Sequence, residues 1–428
     1  MNTPRLVIID GVRTPFCKMG TDLARLGADE LGRIATQALL TRTGINPALI
    51  DEVIFGCVGQ PAEAANVSRV IALRAGIPES VPAITVHRNC ASGLESLTQA
   101  YEKMCAGRGE VFLVGGTESM SKYPLQYSDV AAAKFAKLGR AKTLGQRASA
   151  FLKFRPADLF APRITLMLGL TDPVCALNMG ETAEILAREY EISREKQDAF
   201  AVESHTRALA ARDKLAEEIC PVYPPLTREV IANDNGPRKD SSLESLARLR
   251  PVFDKRTGTV TAGNSSQITD GAVALLVMTE QKAAQLGLSP IGALTGYAYA
   301  GCDPQRMGLG PVFAIAKAEE KLGITLDNAD LIEINEAFAA QVIACLRCLK
   351  SDEFARKVLH RDRPIGKIEK DRLNVNGGSI ALGHPVGATG SRLILTSLKE
   401  LARRGQKRAL VSLCVGGGQG AAVWLERL

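Results

Sequence analysis

Short runs of apolar and β-branched residues alternate with longer stretches of helical periodicity along most of the chain. A run of four to eight such residues between turn signals is typical of a buried strand. The pattern predicts strands at residues 6–9, 84–86, 111–114, 272–277, 331–334 and 410–413. Alternating strands and helices of this size indicate an α/β protein with largely buried sheets.

The pattern also repeats within the chain. Residues 44–55 align without gaps with residues 323–334, and each segment leads from a helical stretch into a β-branched run. Residues 111–116 correspond in the same way to residues 409–414, each after a helix that ends in glycine. The repeat predicts two related α/β halves.

The second half is predicted to span residues 290–428, and the first to span 1–120, completed by a returning strand in 267–289. Residues 121–266 have no counterpart in the repeat, contain a proline-bounded loop at 221–237, and are predicted to form an inserted loop domain. The first half is therefore expected to be discontinuous in sequence.

Composition limits the class of protein. With 428 residues, 46% of them hydrophobic, the chain is long enough for two or three packed domains. The first apolar run lies too close to Met1 for a signal peptide, and no apolar stretch approaches the ~20 residues of a membrane span. We therefore expect a cytoplasmic protein.

Cysteine usage supports the same expectation. The ten cysteines have no regular spacing, which favours a reducing compartment over a disulfide framework. Most are expected to be small core residues, among them Cys57, Cys105, Cys345 and Cys414. The close pair Cys345 and Cys348 continues a helical pattern and lacks a second pair, so no metal site is expected.

The net charge of +7 is concentrated in one segment. Residues 122–163 contain nine Lys and Arg but only two acids, which accounts for the whole excess. A basic segment attracts a phosphorylated substrate, a partner protein or an anionic surface. No recognition-helix motif accompanies it, so we do not expect nucleic-acid binding.

Three turns carry the residues with chemical potential. One holds Cys90, the glycine-rich run 383–390 holds His384, and a third begins at Cys414. Ligands of such sheets bind beyond the carboxyl ends of the strands, and the turns of Cys90 and Cys414 directly follow predicted strands. We therefore expect one site, where two thiols and an imidazole can transfer an acyl group from a thioester without a metal.

Cys90 precedes a predicted helix start, where the helix dipole and free N–H groups favour a thiolate. It is the candidate nucleophile, and the alternative is a buried structural thiol. His384 is held between Gly383 and Pro385 and is the best candidate base, with a structural histidine as the alternative. His205 and His360 lie in charged segments and are expected to be solvent-exposed.

Two further positions have more than one interpretation. The glycines after Cys414, beginning at Gly416, let backbone N–H groups approach a ligand, as in an oxyanion hole or a phosphate site. The segment lacks the lysine of a P-loop and the GxGxxG of a dinucleotide fold. Asn335 follows a predicted strand and is expected to cap the next helix, while its amide is also suited to hold a water or an acyl oxygen.

These motifs together resemble those of the thiolase family, and the resemblance covers nearly the whole chain. The matching segments are residues 89–93, 115–121, 261–266, 335–338, 383–390 and 414–418. The resemblance implies the layered α-β-α-β-α thiolase fold with a loop domain inserted in the first half. It also implies dimers or tetramers, with coenzyme A and acyl-CoA as substrates and no permanently bound cofactor.

The resemblance also implies roles for individual residues. Cys90 would be acylated, His384 would activate it, and Cys414 would act as the acid/base. Asn335 would hold a water that forms one oxyanion hole with His384, and the N–H groups of Cys90 and Gly416 would form the other. Three more residues, Met179, Arg238 and Ser266, match positions that bind coenzyme A or substrate.

The implied activity is acyl transfer from a 3-oxoacyl-CoA to coenzyme A with release of acetyl-CoA, as in fatty-acid β-oxidation, or the reverse condensation. Short-chain biosynthetic members often have His where this chain has Asn178, which disfavours the alternative of an acetoacetyl-CoA-forming acetyltransferase. The basic insert resembles β-subunits of fatty-acid-oxidation complexes, although those often have His in place of Asn335.

Two other functional interpretations are disfavoured by the residues. An enzyme that extends acyl carriers would pair its nucleophile with two histidines or His and Asn, and Cys414 argues against it. A non-catalytic lipid-binding relative is disfavoured by the intact Cys90, His384 and Cys414.

The basic insert mixes apolar and cationic residues at partly helical spacing, as at Phe135, Leu138 and Phe151 among Lys134, Lys137 and Arg140. Such a pattern indicates an amphipathic element that docks on an anionic membrane or on a β-oxidation partner subunit. The alternative is a lid over the acyl site with its charges solvated.

Overall fold

The computed structural model describes residues 3–226 and 229–428. Met1 and Asn2 of the predicted first half, and Thr227 and Arg228 of the loop predicted at 221–237, lie outside the described residues. The chain forms two compact units: one comprises the described part of Met1–Lys122 together with Asp172–Leu428, and the other is Tyr123–Thr171. None of the described helices is long and apolar enough to cross a lipid bilayer.

The strands, in chain order, are β1 (Leu6–Arg13), β2 (Cys17–Lys18), β3 (Glu52–Gly56), β4 (Ala83–Val86), β5 (Val111–Ser119), β6 (Leu125–Gln126), β7 (Arg163–Ile164), β8 (Thr269–Thr279), β9 (Gly292–Gly301), β10 (Leu331–Ile334), β11 (Arg408–Val415) and β12 (Gln419–Glu426).

The α-helices are α1 (Ala28–Thr43), α2 (Val67–Arg74), α3 (Ser92–Cys105), α4 (Asp129–Arg140), α5 (Leu144–Phe151), α6 (Pro156–Phe160), α7 (Thr165–Gly169), α8 (Met179–Glu189), α9 (Arg194–Ala210), α10 (Arg212–Ala216), α11 (Leu243–Ala247), α12 (Glu280–Leu286), α13 (Gly310–Leu322), α14 (Ala339–Leu349), α15 (Asp352–Lys357), α16 (Ser379–Leu382) and α17 (Thr389–Arg404). Short 3₁₀ turns lie at Pro47–Leu49, Met120–Lys122, Pro304–Leu309 and Leu326–Asn328.

The main unit contains one ten-stranded sheet with the order β10-β11-β12-β9-β1-β8-β5-β3-β4, and β2 is paired to β8. We call the part β4-β3-β5-β8-β1 the first sheet and the part β9-β12-β11-β10 the second sheet. They join where β1 pairs with β9 at Val7↔Ala293 and Ile8↔Gly292. In the smaller unit β6 pairs with β7.

Three apolar cores separate five layers. One core packs α1 and α2 on the outer face of the first sheet. A second lies between the sheets and is built from α3 and α17 with residues of β1, β5, β8, β11 and β12. A third packs α13 and α14 on the outer face of the second sheet. The predicted α-β-α-β-α order is confirmed.

The sequence repeat has a structural counterpart. α1 ends at Gly44 (φ +64°), and a 3₁₀ turn then leads into β3. α13 ends at Gly323 (φ +66°), and a 3₁₀ turn leads into β10. A left-handed residue closes each helix, and glycine adopts that conformation without the strain that a Cβ would impose. The division into three sequence segments with the predicted boundaries stays a prediction.

Three expectations about single residues are wrong. Asn335 does not cap a helix, because α14 begins only at Ala339 with Phe338 at its N-cap. Cys105 is exposed rather than in the core, because it is the last residue of α3. His205 is buried, because it shares one face of α9 with small residues such as Ala201 and Ala208. His360 is exposed as expected.

Candidate active site

The turn that carries Cys90 connects β4 to α3. Asn89 has a left-handed backbone (φ +43°), which is uncommon for a residue with a side chain. The Ser92 hydroxyl accepts a hydrogen bond from the Arg88 N–H (2.9 Å) and donates to the Asn89 carbonyl (2.7 Å), which closes the turn. The Asn89 side-chain amide donates to the Gly416 carbonyl at 2.8 Å. One hydrogen bond thus ties the Cys90 turn to the Cys414 turn of the other half.

The environment of the Cys90 sulfur contains two opposed effects. Its own N–H and the N–H of Gly416 donate hydrogen bonds to the sulfur, and both lower its pKa. Burial has the larger effect and raises the pKa of Cys90 above the ordinary thiol value, with a smaller contribution from Glu118. The thiol is therefore protonated at neutral pH and needs a base to become a nucleophile.

His384 is aimed by the backbone around it. Gly383 has φ +98°, and a Cβ built there would lie 2.2 Å from Cγ2 of Thr269, so a side chain would not fit. The His384 N–H donates to the Gln267 carbonyl at 3.0 Å. Because the preceding residue must be glycine and the backbone is hydrogen-bonded, the imidazole is held in one direction.

The hydrogen bonds of the imidazole indicate its tautomer. Nδ1 lies 2.7 Å from the Thr389 hydroxyl, which donates its only proton to the Pro385 carbonyl at 3.0 Å. The hydroxyl must then accept from Nδ1–H, since a hydroxyl has one proton to donate. This network, rather than an observed hydrogen, assigns the proton to Nδ1 and leaves Nε2 as the acceptor.

Asn335 lies on the other side of the ring. Its Nδ2 is 3.4 Å from Nε2 of His384, and its Oδ1 accepts a hydrogen bond from the Ser379 hydroxyl at 2.6 Å. The serine fixes which end of the amide faces the imidazole. All three side chains are buried. Asn335 follows β10 directly, and its N–H donates to the Ser412 carbonyl of β11 at 2.9 Å.

The His384 imidazole is neutral at physiological pH. Burial first, and then the positive charge of Arg392, lower its pKa to about 3. An imidazole in this form has an unprotonated Nε2, which the Asn335 amide faces at 3.4 Å, and can accept a proton from a thiol.

Cys414 has different surroundings. It lies within β11 in an apolar cluster with Val260, Met307 and Phe338. Burial raises the pKa of Cys414 well above the ordinary thiol value, and nearby thiols, Cys90 first, raise it further. The glycines that follow have left-handed backbones at Gly417 and Gly418. A buried thiol that holds its proton is suited to donate one.

The three residues predicted to bind substrate divide into two groups. Met179 begins α8 beside the reactive turns, because its sulfur lies 3.2 Å from a Cβ built on Gly416. Ser266 donates its N–H to the carbonyl of Ala337 at 2.9 Å. Ala337 lies two residues after Asn335. Arg238 is exposed, and its N–H donates to Nδ1 of His205 at 3.2 Å. None of the described contacts of Arg238 involves Cys90 or Cys414.

Two residues that orient the site, Thr389 and Ser379, have no role predicted from the sequence. Thr389 was part of the glycine-rich run, yet only His384 in that run was interpreted. Ser379 lies just before the same run. Their hydroxyls bond side chains brought close by folding, and a small polar residue near a turn was the only sequence signal for either.

Known families and proteins match nearly the whole chain. Residues 6–281 match the thiolase N-terminal domain and residues 288–427 match the thiolase C-terminal domain. The chain is 42% identical over 425 residues to a 3-ketoacyl-CoA thiolase of Pectobacterium atrosepticum, covering 99% of this chain and 96% of that protein. A 3-ketoacyl-CoA thiolase of Serratia proteamaculans is 42% identical over 427 residues, covering 99% and 97%.

Solved structures show the same relation. Human mitochondrial 3-ketoacyl-CoA thiolase in complex with CoA superposes with a TM-score of 0.86 at 36% identity, covering 100% of this chain and 98% of that one. Bacillus anthracis acetyl-CoA acetyltransferase superposes with a TM-score of 0.86 at 37% identity, covering 100% and 99%.

Proposed function

This chain belongs to the thiolase family and is an acyltransferase, and on that premise we propose that it moves an acyl group from a 3-oxoacyl-CoA to coenzyme A through a thioester on Cys90. The observation that carries the proposal is the convergence on the Cys90 sulfur of two N–H donors, its own and that of Gly416. Donors placed there also lie next to any oxygen of an acyl group bonded to that sulfur.

The first half-reaction starts with proton transfer from the Cys90 thiol to Nε2 of His384. The thiolate attacks the 3-oxo carbon and forms a carbon–sulfur bond, and the developing oxyanion accepts hydrogen bonds from the N–H groups of Cys90 and Gly416. The bond between C2 and C3 then breaks, and its electron pair stays on C2. Cys414 donates its thiol proton to C2, which releases acetyl-CoA.

The second half-reaction returns the enzyme to its starting state. Coenzyme A enters as a substrate, loses its thiol proton to the Cys414 thiolate left by the first half-reaction, and attacks the acyl group on Cys90. The carbon–sulfur bond to Cys90 breaks, the Cys90 thiolate takes back the proton held on Nε2 of His384, and the product is an acyl-CoA shortened by the acetyl unit. Before acetyl-CoA leaves in the first half-reaction, protonated Nε2 of His384 and a water held by Asn335 stabilise the thioester oxygen of the acetyl unit.

We assign the acyl chain to the apolar cluster around Cys414. Its members are Ala183, Val260, Met307, Ala337 and Phe338, with Met179 and Phe253 packed against them. Methionine side chains are flexible and fill irregular apolar space, so they adapt to chains of different length. Met179 lies beside Gly416 and is placed to contact the acyl group nearest the sulfur.

A cationic corner favours a phosphate-bearing ligand at Arg238. Burial lowers the pKa of Lys18, and the Arg238 charge lowers it further, while the nearby Asp240 has a smaller opposing effect. The pKa of His205 is lowered to about 4 by burial and then by Arg238 and Lys18. Two cations that repel each other are stabilised when an anion binds between them. We propose that Arg238 and Lys18 bind a phosphate of coenzyme A and that Ser266 lies along its path to the thiols.

Steady-state thiolysis tests the function. Purified protein is given coenzyme A and 3-oxoacyl-CoA substrates of increasing chain length, and acetyl-CoA formation is measured with Cys90→Ser as the matched control. We expect turnover with several chain lengths and none in the control. Activity with the four-carbon substrate alone would support an acetoacetyl-specific enzyme, and no turnover with any length would contradict the proposal.

We propose that the protein acts as a homo-oligomer. β4 is the last strand of the first sheet, and Ile84 on this strand is 42% exposed. An exposed apolar edge strand offers unpaired backbone groups to a second copy. Light scattering of the wild type is expected to give the molar mass of a dimer or a larger oligomer. The substitution Ile84→Lys is expected to weaken the association between copies. A wild-type monomer would contradict the proposal.

We propose that the smaller unit, Tyr123–Thr171, docks on an anionic membrane surface. Leu144, Leu152 and Phe160 are each more than 80% exposed within a segment rich in Lys and Arg. Apolar side chains surrounded by cations are typical of interfacial binding. Lys134 is already paired with Asp158 at 2.5 Å, so it contributes less charge to a surface than its neighbours.

The test replaces Lys137, Arg140 and Lys142 by Gln, with Lys134→Gln as the control of matched chemistry. We expect the triple variant to lose salt-sensitive binding to vesicles of anionic phospholipid with kcat unchanged, and Lys134→Gln to lose less. If wild-type protein binds neither anionic nor zwitterionic vesicles, docking on a membrane is contradicted. The two alternatives, docking on a partner subunit and a lid over the acyl site, would then remain.

A further inference from the structure

A buried ion pair lies behind the active site and takes no part in the mechanism above. Arg392 of α17 and Glu333 of β10 are each 1% exposed, with 3.7 Å between Nη1 and Oε2. That distance is too long for a hydrogen bond. None of the guanidinium nitrogens of Arg392 and neither carboxylate oxygen of Glu333 has a hydrogen-bond partner among the described protein atoms.

Both residues are attached to elements that aim the catalytic groups. Arg392 lies one helical turn after Thr389, the residue that bonds Nδ1 of His384. Residues three apart on a helix are neighbours on one face. Glu333 lies two residues before Asn335, which faces Nε2 of the same ring. The pair is therefore connected through short rigid segments to both sides of the imidazole.

Stability alone does not account for this pair. Removing two charges from water costs more than their attraction returns unless hydrogen bonds satisfy the remaining donors and acceptors. Here the protein supplies none to Arg392 or Glu333. A guanidinium without hydrogen-bond partners interacts electrostatically with nearby groups, because the protein interior screens its positive charge weakly.

The other charged groups that face Arg392 are partly occupied elsewhere. Oε2 of Glu218 accepts hydrogen bonds from Arg13 (3.3 Å) and Thr396 (2.9 Å), whereas its Oε1 has no partner among the described protein atoms. Glu336 accepts from Ser204 (2.6 Å) and Asn374 (2.9 Å). Arg13 forms a bidentate pair with Asp234 and adds positive charge toward Arg392. Burial raises the pKa of Glu333, which weakens its compensation of Arg392.

We propose that Arg392 is a positioning residue for acyl transfer: together with Glu333 it supports the segments that hold Thr389 and Asn335 on the two sides of the His384 imidazole, and its buried positive charge opposes protonation of that ring. The proposal rests on the function proposed above, in which His384 takes the Cys90 proton. The effect of Arg392 on the pKa of His384 is in the direction required. No contact between Arg392 and substrate is involved.

The protonation state of His384 can be observed without turnover. The chain contains only four histidines, so imidazole carbons labelled with ¹³C give few signals, and the His384 signal is assigned by its loss in His384→Asn. The signal is followed as pH is lowered in the wild type, Arg392→Met and the charge-conserving control Arg392→Lys, with folding checked by circular dichroism at each pH.

We expect Arg392→Met to protonate His384 at a pH ~1 unit above the wild type, the scale on which one neighbouring charge acts. The acid limb of kcat/KM should move with it, and Arg392→Lys should restore the wild-type titration. A purely structural role would lower the melting temperature of Arg392→Met and leave the titration unchanged, which would overturn the proposal.

Two further measurements keep the outcome interpretable. If Arg392→Met does not fold, the double variant Arg392→Met/Glu333→Gln removes both buried charges and should titrate as expected for the single variant. An unshifted titration in the double variant would also overturn the proposal. Failure of the proposed function would be seen separately, as wild-type protein that neither thiolyses 3-oxoacyl-CoA nor forms an acyl group on Cys90.

Discussion

Cys90 and Cys414 contribute one thiol from each half of the molecule, and their surroundings differ in exposure, in backbone conformation and in the groups around the sulfur. Cys90 is half-buried on a turn with a left-handed Asn89 before it, and two backbone N–H groups donate to its sulfur. Cys414 is fully buried within a strand among apolar side chains and other thiols. The pKa of both thiols is raised, but two N–H groups oppose the rise at Cys90, whereas at Cys414 its own N–H opposes it and neighbouring thiols add to it.

The comparison shows how one residue type acquires two roles. A thiol with charge-stabilising donors on a turn is suited to become a thiolate and carry an acyl group. A thiol surrounded by apolar side chains keeps its proton and is suited to deliver it. On this account the local environment, rather than the residue type, assigns nucleophile and acid, and the following changes test that assignment.

The largest effect is expected from Cys90→Ser. A hydroxyl is close in size to a thiol but a far weaker nucleophile at neutral pH, so thiolysis should fall by roughly 10⁴-fold or more, the scale on which loss of an enzyme nucleophile acts. Steady-state thiolysis measures the loss, and an unchanged melting temperature shows that the fold is intact. Near-wild-type turnover would place the nucleophile elsewhere.

Cys414→Ala should separate the two half-reactions. Acylation of Cys90 from acetyl-CoA should survive, whereas exchange of the acetyl-CoA methyl protons with solvent should fall by about 10²-fold, the usual contribution of a positioned acid or base. Deuterium incorporation measures exchange, and mass spectrometry measures acylation. Equal loss of both activities, or of neither, would remove the distinction between the two thiols.

Alkylation as a function of pH compares the two thiols directly. Because the pKa of Cys90 is raised, its thiolate fraction and its rate with iodoacetamide should increase about tenfold per pH unit from pH 7 to 8. The pKa of Cys414 is raised further, so its peptide should stay unlabelled over the same range. Peptide mass spectrometry gives both rates, and faster labelling of Cys414 would reverse the assignment.

The smallest effect is expected from Thr389→Val, which removes the acceptor for Nδ1–H of His384. A neutral hydrogen bond contributes about 0.5–1.5 kcal/mol, so acylation of Cys90 should slow by roughly two- to thirteenfold. The matched control Thr389→Ser keeps the hydroxyl and should be close to wild type. Rapid-quench acylation measures the rate, and equal rates in Val and Ser variants would contradict the tautomer assigned to His384.

Much of this site was predictable because its signals are local. The strand at residues 331–334 and the helix start after Cys90 were predicted from apolar runs and turn residues, and both are confirmed. The alternation of strands and helices predicted the α/β class, and resemblance of the motifs predicted the layered fold. Catalytic roles for Cys90, His384 and Cys414 stay predictions.

What sequence could not supply is contact between distant segments. Asn335 looked like a helix cap because it follows a strand, yet its amide instead faces His384 and Ser379. His205 looked solvated because its neighbours are charged, yet packing buries it. The Arg392–Glu333 pair joins residues 59 positions apart that carry ordinary helix and strand patterns. Each of these depends on tertiary packing that no local pattern encodes.

Location of the acyl group tests the central claim most directly. Wild-type protein is mixed with acetyl-CoA, quenched in acid within the first turnover, digested, and analysed by peptide mass spectrometry. The account predicts an acetyl group on the peptide that contains Cys90 and none on the peptide that contains Cys414. An acetyl group on Cys414, or no adduct on Cys90 in protein that turns over, would contradict it.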